Sequence, residues 1–368
     1  MTSLQARYAS PAEIDRWDDL VAANPSGGDF LQVRGFATTK AAVGWTPRYL
    51  VFEEAGGGRV VSVSLVLERR IPTVGDYWYL PHGPAVRTTA DLRAHAEALR
   101  DFLRDRARGV FAATLEPLVE DTEENRTRLD SGEHSLAALG ARWRDGIQIN
   151  TSTAIVDVDR DDDELLASFH KKCRNMISRA TRDGVEIREY PATPETFAHM
   201  HRLMRLVGGG KAKLDLRSQA YTERFWRAFS DAGLGRFFGI DVDGAPAVMA
   251  YTIRVGERAF YKDGGSERPR TTPGMSNLLQ WHMMRVQRDA GAKSYDLVGV
   301  PPRDRLDDPE YLNHSLAPFK LSFAREVTEF IGAYDLVMRP GAYSRWQRYG
   351  LRLAQRLHRG RYDDTGMY

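Results

Sequence analysis

Cysteine is nearly absent. Cys173 is the one thiol in 368 residues, so the chain can form no internal disulfide and cannot build a cysteine-rich metal site. Long apolar runs are missing too: the opening MTSLQARYASPAEIDRW has no apolar core of a secretion signal, and no later stretch reaches the roughly eighteen apolar residues that cross a bilayer. The expected location is therefore cytoplasmic. An excess of one charge is also lacking, and a net charge of +2 excludes a uniformly basic nucleic-acid coat while leaving local patches open. Lysine is scarce, with eight positions among 52 basic residues, so a lysine here is slightly more apt to be needed as lysine. Familiar catalytic signatures do not occur. There is no HExxH or GxSxG, and His199 and His201 would diverge on a helix, so zinc and serine hydrolase chemistry lack support. His82 and His314 read as structural or hydrogen-bonding residues. GGGK at 208–211 lacks both the spacing of a phosphate loop and a preceding strand. The turn RPRTTPGMSN carries only Gly274, so the glycine-rich pyrophosphate loop of an acetyl-coenzyme-A enzyme is missing.

What is present is an ordinary globular composition on a chain long enough for two domains. Two regions share one pattern. In the first, strand-like RYLVF (48–52), RVVSVSLVLERR (59–70) and DYWYLP (76–81) precede a helix pattern with Thr89 as N-cap and an apolar run, VFAATLEP. In the second, RFFGID (236–241), APAVMAYTIRV (245–255) and RAFYKDG (258–264) precede a helix pattern after Gly274 and the strand SYDLVGV (294–300). The repeated order predicts an α/β (α+β) protein with two acetyltransferase-like domains and mixed central sheets. A single helix is expected from Asp162 to Asp183, and others from Pro194 to Leu206 and from Ser218 to Ser230.

Three stretches carry chemistry. The helix pattern FHKKCRNMISRATRDGVEIRE has a basic face of Lys171, Lys172, Arg174, Arg179 and Arg182, read either as a solvated surface or as a phosphate contact. The C-terminal helix sets Arg345, Arg348, Arg352, Arg356 and Arg359 at spacings of three and four, with Trp346, Leu353 and Leu357 expected on the opposite side. Docking of tRNA, approach to an anionic membrane surface and simple capping of a domain all suit it. Arg217 and Tyr221, four apart near a helix start, would join a guanidinium and a phenol, a pair suited to a diphosphate or to a neighbouring helix. Finally, LAPFKLSFAREVTEFIG (316–332) sets Lys320 among apolar side chains. As a strand it would face away from Phe319, Leu321 and Phe323; as a helical turn it would lie at the edge of a Phe319–Phe323 stack. An ion pair with Glu326 or Glu329 is the plain alternative to a catalytic cation.

Six stretches taken together resemble the Fem-type aminoacyl-tRNA-dependent transferases, which add amino acids to the peptide stem of cell-wall precursors. They are FLQVRGFATTKAAVGW (30–45), YLPHGPAV (79–86), IQINTSTAIVDV (147–158), LLASFHKKCRNMISRATRDGVEI (165–187), YDLVGV (295–300) and FKLSFAREVTEFIGAYDL (319–336), and they span nearly the whole chain in the family's order. The resemblance implies a first domain of residues 1–152 completed by 333–368, and a second of residues 153–332 holding a catalytic channel. It matches the family's Phe-Lys pair to Phe319 and Lys320, with Lys320 meeting the negative charge that develops when an amine attacks the aminoacyl ester. Help of that kind is worth roughly 2.7 to 4 kcal/mol for one donor. It matches precursor-binding residues to Lys40, Arg217, Tyr221 and Tyr261.

The resemblance also implies aminoacyl-tRNA as co-substrate with no cofactor and no metal. The acceptor would be a muramyl-pentapeptide or lipid-linked peptidoglycan precursor, or a small-molecule amine of an antibiotic pathway. An acetyl-coenzyme-A N-acyltransferase and a non-catalytic binding module are the other readings. Asp263 and Asp296 are the carboxylates open to a general-base role. Three departures from the family pattern stand out. Leu321, Ser322, Phe323 and Ala324 replace a glycine-rich turn, residues 185–235 leave no room for a helical-hairpin arm, and Tyr261 is followed by KDGGSE rather than a close family match. With that arm missing, Arg348, Arg352 and Arg356 are expected to contact tRNA, and peripheral contact with a membrane is a further expectation.

Overall fold

The computed structural model describes residues 3–130, 132–148, 151–208, 217–267, 273–362 and 367–368. It divides into two compact units, one of Met1–Thr151 with Phe330–Tyr368 and one of Ser152–Glu329. Strands β1 (Leu4–Tyr8), β2 (Thr46–Glu54), β3 (Val60–Ile71), β4 (Gly75–Leu80), β5 (Val110–Leu115) and β6 (Ala141–Arg144) belong to the first. The second holds β7 (Ser152–Thr153), β8 (Ile155–Asp157), β9 (Arg188–Tyr190), β10 (Gly235–Val242), β11 (Ala245–Val255), β12 (Arg258–Ser266), β13 (Ser294–Asp296) and β14 (Thr328–Glu329). The chain then returns to the first unit with β15 (Ala333–Val337).

The first sheet runs in the order β1-β2-β3-β4-β5-β15-β6. Its one parallel pair, β4 with β5, is crossed over by the helix Thr89–Arg106. Thr88, rather than Thr89, caps that helix: its side chain accepts the Asp91 N–H, while Thr89 is buried and hydrogen-bonds His134. Leu92, Ala96, Leu99 and Leu103 recur at three and four residues and bury one stripe against the sheet.

The second sheet, β8-β13-β12-β11-β10-β9, repeats the plan, with β12 and β13 parallel and the helix Met275–Asp289 between them in sequence. The duplicated strand and helix order expected from sequence is present in both units. Each fully buried large apolar side chain in such cores contributes about 1.5–3 kcal/mol.

Two expectations are corrected. Residues 162–183 form two helices, Asp162–Ser168 and Lys171–Arg182, because Phe169 leaves the helical path in an extended conformation. Its ring drops fully into the core, edge-on to Phe323 at 5.1 Å and Trp281 at 5.8 Å. Burial of that ring outweighs the one helical turn lost. The strand expected over 294–300 ends at Asp296. The helices Pro194–Gly208 and Gln219–Asp231 pack on the sheet through Phe197, Trp226 and Phe237, so no helical-hairpin arm occurs among the described residues. Residues 209–211 of GGGK lie outside the described residues.

Candidate active site where two strands part

β12 and β13 pair over three residues only, Arg258–Phe260 with Ser294–Asp296. Beyond that point β12 continues to Ser266 while β13 turns away, so the backbones open a wedge. Opposite Tyr251 and Thr252 the register of β12 slips, because Asp263 and Tyr261 face them and Lys262 is the extra, bulged residue. The bulge turns Lys262 toward Asp263, to which its Nζ donates at 3.1 Å, and sets it 5.2 Å from the Phe225 ring centre. Asp263 also accepts the Trp226 Nε1–H at 2.8 Å.

On the other arm, the chain after β13 takes a strained course. Val298 has φ +55°, rare for a β-branched residue, and Gly299 follows at +34°. Asp296 holds this turn: it accepts the Val298 N–H at 2.7 Å and the Thr153 hydroxyl, and lies 3.7 Å from Arg258. The result is a pair of carbonyls, Val298 and Gly299, aimed at one point.

Lys320 occupies that point. The helix Ala317–Ala324 begins with Pro318, where no backbone N–H is needed, and its inward stripe is Ala317, Lys320 and Phe323, three apart. The segment is thus the helical turn rather than the strand, with Phe319 and Phe323 in contact four apart, and the lysine lies on the helix's buried face, 7% exposed. Its Nζ donates to the Val298 carbonyl at 2.6 Å and the Gly299 carbonyl at 2.8 Å. An ammonium has three N–H donors, and two are used here. Burial pushes its pKa down from 10.5 to about 8; Asp296 opposes the shift and Lys262 adds to it. At neutral pH the protonated form still predominates. The ion pair with Glu326 or Glu329 is overturned, since Glu329 instead pairs with Arg303 at 3.3 Å. Phe319 is half-buried and meets Phe323 edge-on at 5.3 Å. Where a glycine-rich turn was the pattern, Leu321–Ala324 continue the helix, and Arg325 ends it at φ +63°.

The other expected residues are distributed unevenly. Arg217 stacks over the Tyr221 ring at 5.2 Å, and Ser218 between them caps the helix Gln219–Asp231, so the pair meets at a helix start as its spacing suggested. Tyr261 is part-buried against the second unit's core. Lys40 belongs to the first unit, buried on the helix Arg34–Ala41 with its ammonium 5.2 Å from the Phe36 ring centre. His82 hydrogen-bonds Asp29 at 3.0 Å. Asp263 and Asp296 are both engaged in fixed hydrogen bonds that shape the wedge. Sequence reasoning missed the Val298 and Gly299 carbonyls and Lys262. An Asp two residues before a Val-Gly pair is a turn signal that could have located the carbonyls. Among the described residues, no cluster of three or more His, Cys, Asp or Glu is placed to hold a metal ion.

A family model described as the FemAB family matches residues 13–235, more than half the chain. The chain belongs to the FemAB family. A second model, described as an acetyltransferase (GNAT) domain, matches residues 167–311 and so covers the wedge between β12 and β13. Among curated FemAB relatives, the lipid II:glycine glycyltransferase of Staphylococcus aureus strain MRSA252 is 22% identical over 89% of this chain and 92% of its own length. That of Staphylococcus haemolyticus strain JCSC1435 is 20% identical over the same shares. The crystal structure of FemX superposes with a TM-score of 0.75 at 20% identity, covering 92% of this chain and 99% of that one. FemAB membership and this superposition fix the fold as two acetyltransferase-like domains.

Proposed function

We propose that the protein transfers an amino acid from aminoacyl-tRNA to an amine of a peptidoglycan precursor, forming an amide bond. FemAB membership and the activity named for the staphylococcal relatives support the transfer and the class of acceptor. The choice of tRNA as donor is chemical: its aminoacyl ester is already activated, so the reaction needs no cofactor.

One observation carries the mechanism. Lys320 is a buried, mostly protonated amine with two N–H groups fixed on carbonyls and a third with no protein acceptor among the described residues. The acceptor's neutral amine attacks the ester carbonyl, and the third N–H of Lys320 meets the oxyanion of the tetrahedral intermediate. Collapse expels the ribose hydroxyl of the tRNA, which takes up the proton the amine loses. Little reorganisation is needed, because the carbonyl pair holds the cation before the charge appears, and one such donor is worth roughly 2.7–4 kcal/mol. Phe319 forms an apolar wall that strengthens the interaction.

Arg217 over Tyr221, with Tyr261, supplies a guanidinium and phenols suited to the acceptor's diphosphate; Lys40, buried in the first unit, is a separate candidate for contact with the precursor. The exposed basic side chains of the helix Lys171–Arg182 suit the phosphates of tRNA.

The test is to incubate the purified protein with mixed aminoacyl-tRNAs and either a nucleotide-linked or a lipid-linked muramyl pentapeptide, then weigh the acceptor by mass spectrometry. A gain of one amino-acid residue is expected on one of them. Survival of the ester in every mixture would overturn the proposal, and consumption of the ester only with a small-molecule amine would redirect it to that acceptor class.

A further inference from the structure

The C-terminal helical segment has a face that catalysis leaves unused. Pro340–Arg345, the widened turn Trp346–Gly350 and Leu351–Tyr362 run on without interruption. Its buried side is Trp346, Gly350, Ala354 and His358, one residue in four, with Trp346 stacked on Tyr77 at 5.2 Å. The remaining positions overturn the sequence expectation. Trp346 does lie opposite the arginines, but Leu353 and Leu357 share their outward side. Gly350 and Ala354 are small enough to approach the first unit closely, so they take the inward positions that leucines would otherwise fill.

The outward face repeats a doublet every four residues: Arg348-Tyr349, Arg352-Leu353, Arg356-Leu357. Tyr349, Leu353 and Leu357 are 41%, 38% and 51% exposed, and they are three of the seven large apolar side chains so exposed among the described residues. Arg345, Arg348, Arg352, Arg356 and Arg359 flank them, all exposed, and no ion pair joins any of the five to a described carboxylate. From Val337 to Tyr362 the sequence contains no Asp or Glu.

We propose that this face docks on an anionic membrane surface, with Tyr349, Leu353 and Leu357 entering the headgroup boundary and the arginines paired with lipid phosphates. An aliphatic row lowers its free energy only by leaving water, and a row bordered by cations on a continuous helix does so at a bilayer of opposite charge. RNA is the weaker occupant. It would satisfy the arginines, yet bases stack on aromatic rings and cations and would leave Leu353 and Leu357 in water. No helix among the described residues is long and apolar enough to cross a membrane, so the contact is one of lying on the surface. The inference goes beyond the transfer reaction and does not rest on it. If the proposed acceptor is lipid-linked, the same contact would gather enzyme and acceptor on one surface.

The test is co-sedimentation of the full-length protein with vesicles containing neither precursor nor tRNA, so that its failure is separate from any failure of the transferase assignment. Binding is expected to vesicles of phosphatidylcholine containing a minority of phosphatidylglycerol, weakening with added salt, and not to phosphatidylcholine alone. The triple change Arg348→Glu, Arg352→Glu, Arg356→Glu should weaken it about a hundredfold or more. The double change Leu353→Ser, Leu357→Ser should weaken it at least about tenfold with the melting temperature unchanged. Absence of wild-type binding overturns the proposal, as does a Leu353→Ser, Leu357→Ser variant that binds like wild type. Loss of tRNA binding in the arginine variant, with vesicle binding intact, would assign the face to RNA instead.

Discussion

The two units follow the same strand order and differ at one corresponding place. In the first, the parallel pair β4 and β5 slips once, between Asp76 and Tyr77, and then stays paired to the carboxyl ends of both strands, Leu80 beside Leu115. Past those ends the space is filled by protein: Glu116 accepts the Tyr79 hydroxyl and the backbone N–H groups of Ile147 at 2.6 Å and Gln148 at 2.8 Å. In the second, the pair opens after Phe260 and Asp296, and the space beyond holds a lysine on two carbonyls. One architecture thus gives a sealed junction and an open one. Under the proposed mechanism, chemistry would depend on how far two strands stay together, because the parted pair leaves the Val298 and Gly299 carbonyls turned toward Lys320.

The strongest way to break the comparison is to remove the open junction's cation. Lys320→Met keeps an unbranched apolar stem in the buried slot, and transfer should fall about a hundredfold or more while the melting curve shifts modestly. A variant transferring at the wild-type rate would sink the assigned role.

Titration comes next. Because the ammonium loses its proton near pH 8, the initial transfer rate should fall about tenfold per unit above that value, after correction for spontaneous loss of the ester. Stability should move the other way. Between about 8 and 10.5 the unfolded chain binds more protons at this residue than the folded one, so folding gains free energy as pH rises through that window. Lys320→Met should abolish both trends, which urea titrations and rate profiles at several pH values would read together.

At the sealed junction the prediction is structural. Glu116→Ala strands buried donors and should cost about 1–3 kcal/mol in urea unfolding, while the transfer rate per folded molecule stays near wild type. A large loss of rate in that variant would mean that the first unit's junction takes part in chemistry. The smallest effect is expected at Val298→Gly. Relief of the positive φ is offset by the backbone freedom glycine adds, so stability should change by less than about 1 kcal/mol and transfer by a few-fold.

Much of this fold was legible because strand–hairpin–strand–helix–strand is written twice in alternating apolar patterns bounded by turns, as in RVVSVSLVLERR and APAVMAYTIRV. The site was legible in part. Lys320 stood out as a lysine among apolar residues, but only the three-residue spacing of Ala317, Lys320 and Phe323 on an actual helix turned it inward. Its carbonyl partners depend on a left-handed Val298, which no propensity favours. The break at Phe169 was hidden because 162–183 is helical in composition on both sides, and only a tertiary pocket extracts that ring. The C-terminal helix was misread because leucine is normally an inward residue, and here small residues displaced it.

The position of β15 in the first sheet also sets an order in time. It lies between β5 and β6 and is hydrogen-bonded to both, yet it is synthesised after every residue of the second unit. A nascent chain can therefore finish the second unit, which bears Lys320, while the first sheet still has a gap between β5 and β6. The amino-terminal half of the protein is the last to be completed, and a ribosome stalled anywhere in residues 152–329 would carry an edge that only the missing strand can close.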